Sequence, residues 1–183
     1  ASADLGSLIH DQHYNHLESL LAAAREDDRI LLGGECDRKV RKIAPTIVEV
    51  KSDEDPLMAE ELFGPLLPLI EVDDLSCAIK RIQKQDKPLA IYLFGGTDND
   101  QNILLQNTSS GGVCFNDVVM QAGVPELPFG GIGPSGMGSY HGEAGFRTFS
   151  HERAVLRRPF FLDPRLRYPP YKLSPALLRR LIG

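Results

Sequence analysis

Apolar residues fall at helical spacing near the start of the chain, where Leu17, Leu20, Leu21 and Ala24 share one face of a segment from Asp11 to Arg25. An amphipathic helix is expected there, with Asp11 as its cap. The period then shortens. Ile30 to Leu32, a Gly33-Gly34 turn and Ala44 to Val50 read as short strands, the last rich in β-branched residues, and the two are expected to pair. Leu66 to Val72 is an almost wholly apolar run, followed at once by a helical pattern through Leu75, Ala78, Ile79 and Ile82. Leu89 to Phe94 repeats the run, Asp98 is placed to cap a second helix through Ile103, Leu104 and Leu105, and Gly112 to Phe115 offers a third strand. This β-α-β-α-β order predicts an α/β fold built on a parallel sheet with crossover helices.

Beyond that unit the patterning fades. Glycines crowd the stretch from Gly123 to Gly145, with Pro125, Pro128 and Pro134 between them, and a long functional loop is expected. Arg153 to Arg157 has the pattern of a short strand. The tail carries Pro159, Pro164, Pro169, Pro170 and Pro175 and is expected to run over a surface, ending in a short helix from Pro175 to Leu181. Internal repeats and low-complexity segments are absent.

Composition narrows the class. A chain of 183 residues can bury one core without a metal or disulfide staple. Its formal charge of -5 lacks the basic excess of a nucleic-acid surface, so small molecules or other proteins are the expected partners. Cys36, Cys77 and Cys114 are odd in number and widely spaced, which reads as free thiols in a reducing compartment. No apolar run reaches the length of a membrane span, and residues Ala1 to Asp11 lack the pattern of a signal peptide. The opening Ala1-Ser2-Ala3, without methionine, is expected to mark a cut or truncated product.

Two segments carry candidate chemistry. In Glu60-Glu61-Leu62-Phe63-Gly64-Pro65, an ionised acid beside a turn accepts only, which suits a ribose diol, and Phe63 can offer a flat face to a planar ring. Solvated acids and a core phenylalanine remain the plainer alternative. The stretch Leu127 to Gly138 contains Gly131-x-Gly133-x-x-Gly136, formally a dinucleotide fingerprint, but no strand leads into it and no clear helix follows. A loop that lines a site, or fixes two elements together, is expected instead. Asn116-Asp117 ends the third strand, where open parallel sheets gather ligands, although the pair equally suits a plain turn. His141, His151, Glu143 and Glu152 lack a metal-ligand spacing, so no metal is expected. Gly-x-Ser-x-Gly is absent, which argues against a serine hydrolase, and the cysteines read as packing residues.

Taken in order, Ala44-Pro45-Thr46, Glu60 to Pro65, Thr108-Ser109-Ser110-Gly111-Gly112-Val113, Leu127-Pro128-Phe129-Gly130-Gly131, Ser135 to Gly142, Thr148-Phe149-Ser150-His151 and Arg167-Tyr168-Pro169-Pro170 closely resemble aldehyde dehydrogenases of the class 3 type. The match spans nearly the whole chain and corresponds to the C-terminal half of such an enzyme. The resemblance implies that residues 1–150 form the C-terminal part of a catalytic domain, and 151–183 an oligomerisation strand with a proline-rich tail. Glu61 then matches the acid that holds the nicotinamide ribose of NAD or NADP, and Phe63 the aromatic against the nicotinamide. Asn116, Val119, Ala122, Gly123, Phe129 and His141 match positions around the aldehyde tunnel. Small residues between Met120 and Glu126 depart from the bulkier ones of relatives. Arg153 to Arg157 matches the part that joins subunits, which implies a homodimer, and the free thiols make a cytoplasmic location the expectation.

In this family a cysteine thiolate attacks the aldehyde, a glutamate serves as base, and an asparagine helps stabilise the oxyanion. The nucleophile's Gly-Gln-x-Cys context occurs nowhere in this chain, so no catalytic residue is assigned and the chain alone is expected to be inactive. A non-catalytic oligomerisation or binding module with the same fold is the alternative. The arginine- and leucine-bearing tail is expected to be solvated or docked rather than held on a membrane.

Overall fold

The computed structural model describes residues 3–161, 163, 165, 168–170 and 174–182. Arg167 of the Arg-Tyr-Pro-Pro segment therefore lies outside the described residues. The first helix, α1, spans Asp11–Glu26 and buries Tyr14, Leu17, Leu21 and Ala24, a 3-4-3 spacing that puts all four on one face. Its cap is His10 rather than Asp11: the His10 imidazole accepts the His13 N–H at 3.0 Å, while Asp11 sits in the first turn against the positive end of the helix.

Strands β1 (Ile30–Leu32), β4 (Thr46–Glu49) and β5 (Leu66–Leu69) form one sheet in the order β1-β4-β5, with β1 antiparallel and β5 parallel to β4. Between β1 and β4 the chain makes a small hairpin of β2 (Cys36–Asp37) and β3 (Lys42–Ile43), closed by a 3-10 turn at Arg38–Val40 that the sequence pattern does not announce. The α1 face packs with Ile43, Val48, Val50, Leu57, Leu62 and Leu66 into the larger core.

Helix α2 (Leu75–Lys84) carries the chain to β6 (Ala90–Leu93), α3 (Asp98–Asn107) and β7 (Gly112–Phe115). Strands β6 and β7 run parallel, from Ala90 opposite Gly112 to Leu93 opposite Phe115, and with Ile79 and Leu104 they enclose a second, smaller core around Ile91. The expected β-α-β-α-β order is present, but it is divided between two sheets: β5 pairs with β4, and β6 pairs with β7 and, among the described residues, with no other strand. Strand patterning encodes which face is apolar, not which neighbour shares the ladder. Helix α3 is capped by Thr97, not Asp98, through a reciprocal capping box with Asp100.

The glycine-rich stretch is more ordered than its composition implies. A 3-10 turn covers Met120–Gly123, and α4 spans Gly142–Thr148, supported by an Arg147–Glu143 pair at 2.7 Å one turn apart. The two glycines in α4 hid it from the sequence pattern. Arg153 to Arg157, expected as a strand, is exposed and makes no strand pairing among the described residues, as an extended segment forms a ladder only beside a free edge. The terminal helix forms as α5, Pro175–Ile182.

Candidate functional site

The turn after the first core begins with a fixed entry. Arg29 donates to Asp55 at 2.7 Å, both side chains only 13% exposed, and Asp55 in turn caps the 3-10 turn Pro56–Met58 by accepting the Leu57 N–H. Leu62 is buried in the core, so the residues on either side of it face outward. Phe63 is 82% exposed and adopts φ 44°, a left-handed backbone that bulky residues rarely hold without support. The plainer reading of Phe63 as a core residue is thereby corrected. Gly64 follows because a Cβ at that position would collide with the Leu17 Cδ1 of α1.

The two acids differ. Glu60 pairs with His16 at 2.7 Å, whereas the exposed Glu61 carboxylate has no hydrogen-bond or ion-pair partner among the described residues. Glu61 lines an open cavity of about 740 Å³ whose walls include Lys87 and Tyr92 from the second sheet unit and Pro134 and Ser135 from the glycine-rich segment. That segment folds back on itself. Gly133 and Gly136 bridge, the Ser135 hydroxyl accepts the Ile132 N–H at 3.0 Å, and a Cβ on Gly131 would run into the Ser135 backbone. The glycines of the apparent fingerprint thus serve a tight hairpin whose tip reaches the Glu61 cavity. No strand-to-helix phosphate turn is formed.

Asn116 stands at the end of β7 with φ 57°, and its side-chain oxygen accepts the Gly95 N–H at 2.7 Å, tying the ends of β6 and β7 together. Val119 also holds a left-handed backbone, φ 65°, and is exposed; for a β-branched residue this is a strained conformation. The 3-10 turn that follows carries Ala122, half-buried, and Gly123, exposed. Phe129 and Tyr140 exchange both backbone hydrogen bonds, and the His141 ring stacks on Phe129 with centroids 6.1 Å apart and 27° between planes. His141 Nδ1 is buried without a hydrogen-bond partner. The structure therefore groups Val119, Ala122 and Gly123 on one turn and joins Phe129 to His141, while none of the six residues assigned to the tunnel lines the Glu61 cavity. The link between the two regions is Gln121, whose amide donates to the Tyr92 hydroxyl at 3.1 Å. Pro134 and Ser135 belong to the glycine-rich loop that the sequence offers as lining a site, whereas nothing in the sequence points to Tyr92 and Lys87, which only the fold carries to Glu61.

The cysteines form no disulfide. A hydrogen bond to Asp74, together with the negative charge of that carboxylate, pushes the Cys77 thiol above its ordinary value. Among the described residues no group of three His, Cys, Asp or Glu side chains is placed to hold a metal, and no helix is long and apolar enough to cross a membrane.

Two sheet units with parallel strand pairs, joined through a helix, and a glycine hairpin that reaches a carboxylate-lined cleft define an α/β protein. Residues 1–155 match the model of the aldehyde dehydrogenase family, and the chain belongs to that family. It is 42% identical over 184 residues to human aldehyde dehydrogenase family 3 member B1, covering 100% of this chain and 38% of that protein. It is also 42% identical over 181 residues to the dimeric NADP-preferring aldehyde dehydrogenase of Mus musculus, covering 98% of this chain and 38% of that protein. The substrate-bound AldH of Staphylococcus aureus superposes with a TM-score of 0.81 at 37% identity, over 98% of this chain and 39% of that one. The Mycobacterium tuberculosis aldehyde dehydrogenase complexed with NAD+ superposes with a TM-score of 0.72 at 27% identity, over 84% and 32%. The chain spans well under half the length of the relatives it matches.

Proposed function

We propose that this chain is the C-terminal part of the catalytic domain, residues 1–150, with the oligomerisation segment and tail, residues 151–183, of an NAD(P)-dependent aldehyde dehydrogenase. The observation that carries the reading is the Glu61 carboxylate, without a partner among the described residues, which lines a cavity of about 740 Å³, two residues before the outward-held Phe63. That acceptor beside an exposed ring fits a nicotinamide nucleoside. A carboxylate with its lone pairs unused accepts both hydroxyls of a ribose diol, and an exposed phenyl face covers a planar ring. When bound, NAD or NADP supplies the hydride acceptor that turns an aldehyde into a carboxylic acid. Glu61 orients the ribose and Phe63 limits how the ring can turn. Asn116, Val119, Ala122, Gly123, Phe129 and His141 shape the aldehyde tunnel, the strained backbones at Val119 and His141 aiming that wall.

The family's cysteine nucleophile, its glutamate base and its oxyanion asparagine have no counterpart in this chain, so the chain by itself does not turn over aldehyde. The exposed segment Arg153 to Arg157, with Val155 and Leu156 open to solvent, is the part that pairs with a second subunit. Three unpaired cysteines support a reducing, cytoplasmic setting. The test sets the intact mass and N-terminal sequence of the native protein beside NAD(P)-linked aldehyde oxidation by that protein and by this chain. A longer active protein and an inactive chain are expected. A native protein that begins at Ala1 and lacks activity refutes the enzyme and leaves a binding module. In the active protein, Glu61→Gln is expected to raise the cofactor KM roughly tenfold, the scale of one lost charge-assisted hydrogen bond, and an unchanged KM removes Glu61 from the cofactor site.

A further inference from the structure

Three consecutive contacts from one face of α1 meet the turn that carries Glu61 and Phe63. His13 Nε2 lies 3.0 Å from the Phe63 carbonyl oxygen, His16 pairs with Glu60 at 2.7 Å, and Leu17 fills the space against Gly64. Positions 13, 16 and 17 stand at the i, i+3, i+4 spacing that puts them on a single helical face. A carbonyl oxygen only accepts, so the His13 imidazole carries its proton on Nε2 and donates. The donor grips the carbonyl of the very residue whose backbone is left-handed, and no other hydrogen bond to that carbonyl is present among the described residues. The His13 backbone is itself anchored, its N–H donating to His10 at the start of the helix. The residues on both sides of Glu61 are thus held from the same helix.

We propose that His13 is a positioning residue for the nicotinamide cofactor: its hydrogen bond to the Phe63 carbonyl holds Phe63 in the left-handed conformation that keeps the ring out of the core and over the cofactor. The role rests on the reading that Phe63 faces the nicotinamide. Without the donor, Phe63 relaxes toward an ordinary backbone conformation, its ring turns and the cofactor loses a preformed wall. His16 supports the same turn through Glu60 more weakly, because that pair is largely exposed.

The experiment compares His13→Ala, His13→Gln, Phe63→Ala and Leu21→Ala in the complete enzyme. Its readouts are the Kd for NADH and NADPH by cofactor fluorescence, the KM for aldehyde at saturating cofactor, and the thermal midpoint. His13→Ala is expected to weaken cofactor binding about fivefold, in line with one neutral hydrogen bond, and to leave the aldehyde KM within about twofold. His13→Gln, whose amide can still donate to the carbonyl, is expected to recover most of the loss. Leu21→Ala, a core truncation on the same helix away from the turn, supplies the comparison for a purely structural role. If it lowers the midpoint as much as His13→Ala and weakens the cofactor equally, the positioning role is overturned. Phe63→Ala separates the two layers. Weaker cofactor binding in Phe63→Ala but not in His13→Ala overturns the His13 proposal and keeps the cofactor reading; no change in Phe63→Ala overturns the reading beneath it.

Discussion

Replacing Gly64 by alanine tests how the candidate site is coupled to the core. The added methyl would collide with Leu17 Cδ1, and Leu17 is fully buried between Tyr14, Leu21 and Leu62, so it has little freedom to withdraw. The Gly64 backbone is not left-handed, so overpacking is the dominant penalty, about 1–3 kcal/mol. Leu17→Ala alone removes the obstructing methyls and leaves a cavity, at roughly 3–5 kcal/mol. In the double variant the methyl added at position 64 enters the space that Leu17 vacates. It should therefore cost no more than Leu17→Ala alone, a departure from additivity of about 1–3 kcal/mol in the favourable direction. Urea unfolding followed by far-UV circular dichroism gives the four midpoints, read with a common slope. Costs that add within about 0.5 kcal/mol would refute the idea that the turn bears directly on α1.

Asp55→Ala removes the shortest ion pair of Arg29, which keeps Asp27 and the Glu49 carbonyl as partners, and also removes the cap at Leu57, and a loss of roughly 2 kcal/mol is expected in the same unfolding assay. Asp55→Asn, which can still cap Leu57, should recover about 1 kcal/mol; equal losses would mean that the cap contributes nothing. The Asp74 and Asp100 carboxyls lie below the ordinary aspartate range because the ionised forms accept backbone N–H bonds from Cys77 and Thr97. Depressed folded-state values give stability that is complete above the unfolded value of about 3.9 and fades as pH falls through the folded values. Asp74→Ser with Asp100→Asn should therefore flatten the acid limb of thermal stability below about pH 4 and change little near neutrality. An acid limb identical to that of the parent chain would count against both caps.

Much of the scaffold was legible along the chain. Leu17, Leu21 and Ala24 marked the buried face of α1, and short apolar runs marked β4 to β7, because helical and strand periods are written directly in the order of apolar residues. The caps were read one residue late at both α1 and α3. An acid in the first turn and a true cap look alike in sequence, and only the extended backbone at His10 and Thr97 distinguishes them. Helix α4 was missed since Gly142 and Gly145 argue against a helix wherever tertiary contacts do not override them.

The sequence by itself determined the α/β class, the apolar faces and the family resemblance, since each resides in residue type and local spacing, and through that resemblance it offered Glu61 and Phe63 as candidates. The tertiary structure decided that β5 joins β4 rather than β6, that Glu60 is engaged by His16 while Glu61 has no partner among the described residues, and that the tip at Pro134 and Ser135 reaches the Glu61 cavity. It also decided that Phe63 stands outside the core, because a backbone held at φ 44° by a helix 50 residues earlier in the chain depends on contacts that no local pattern records.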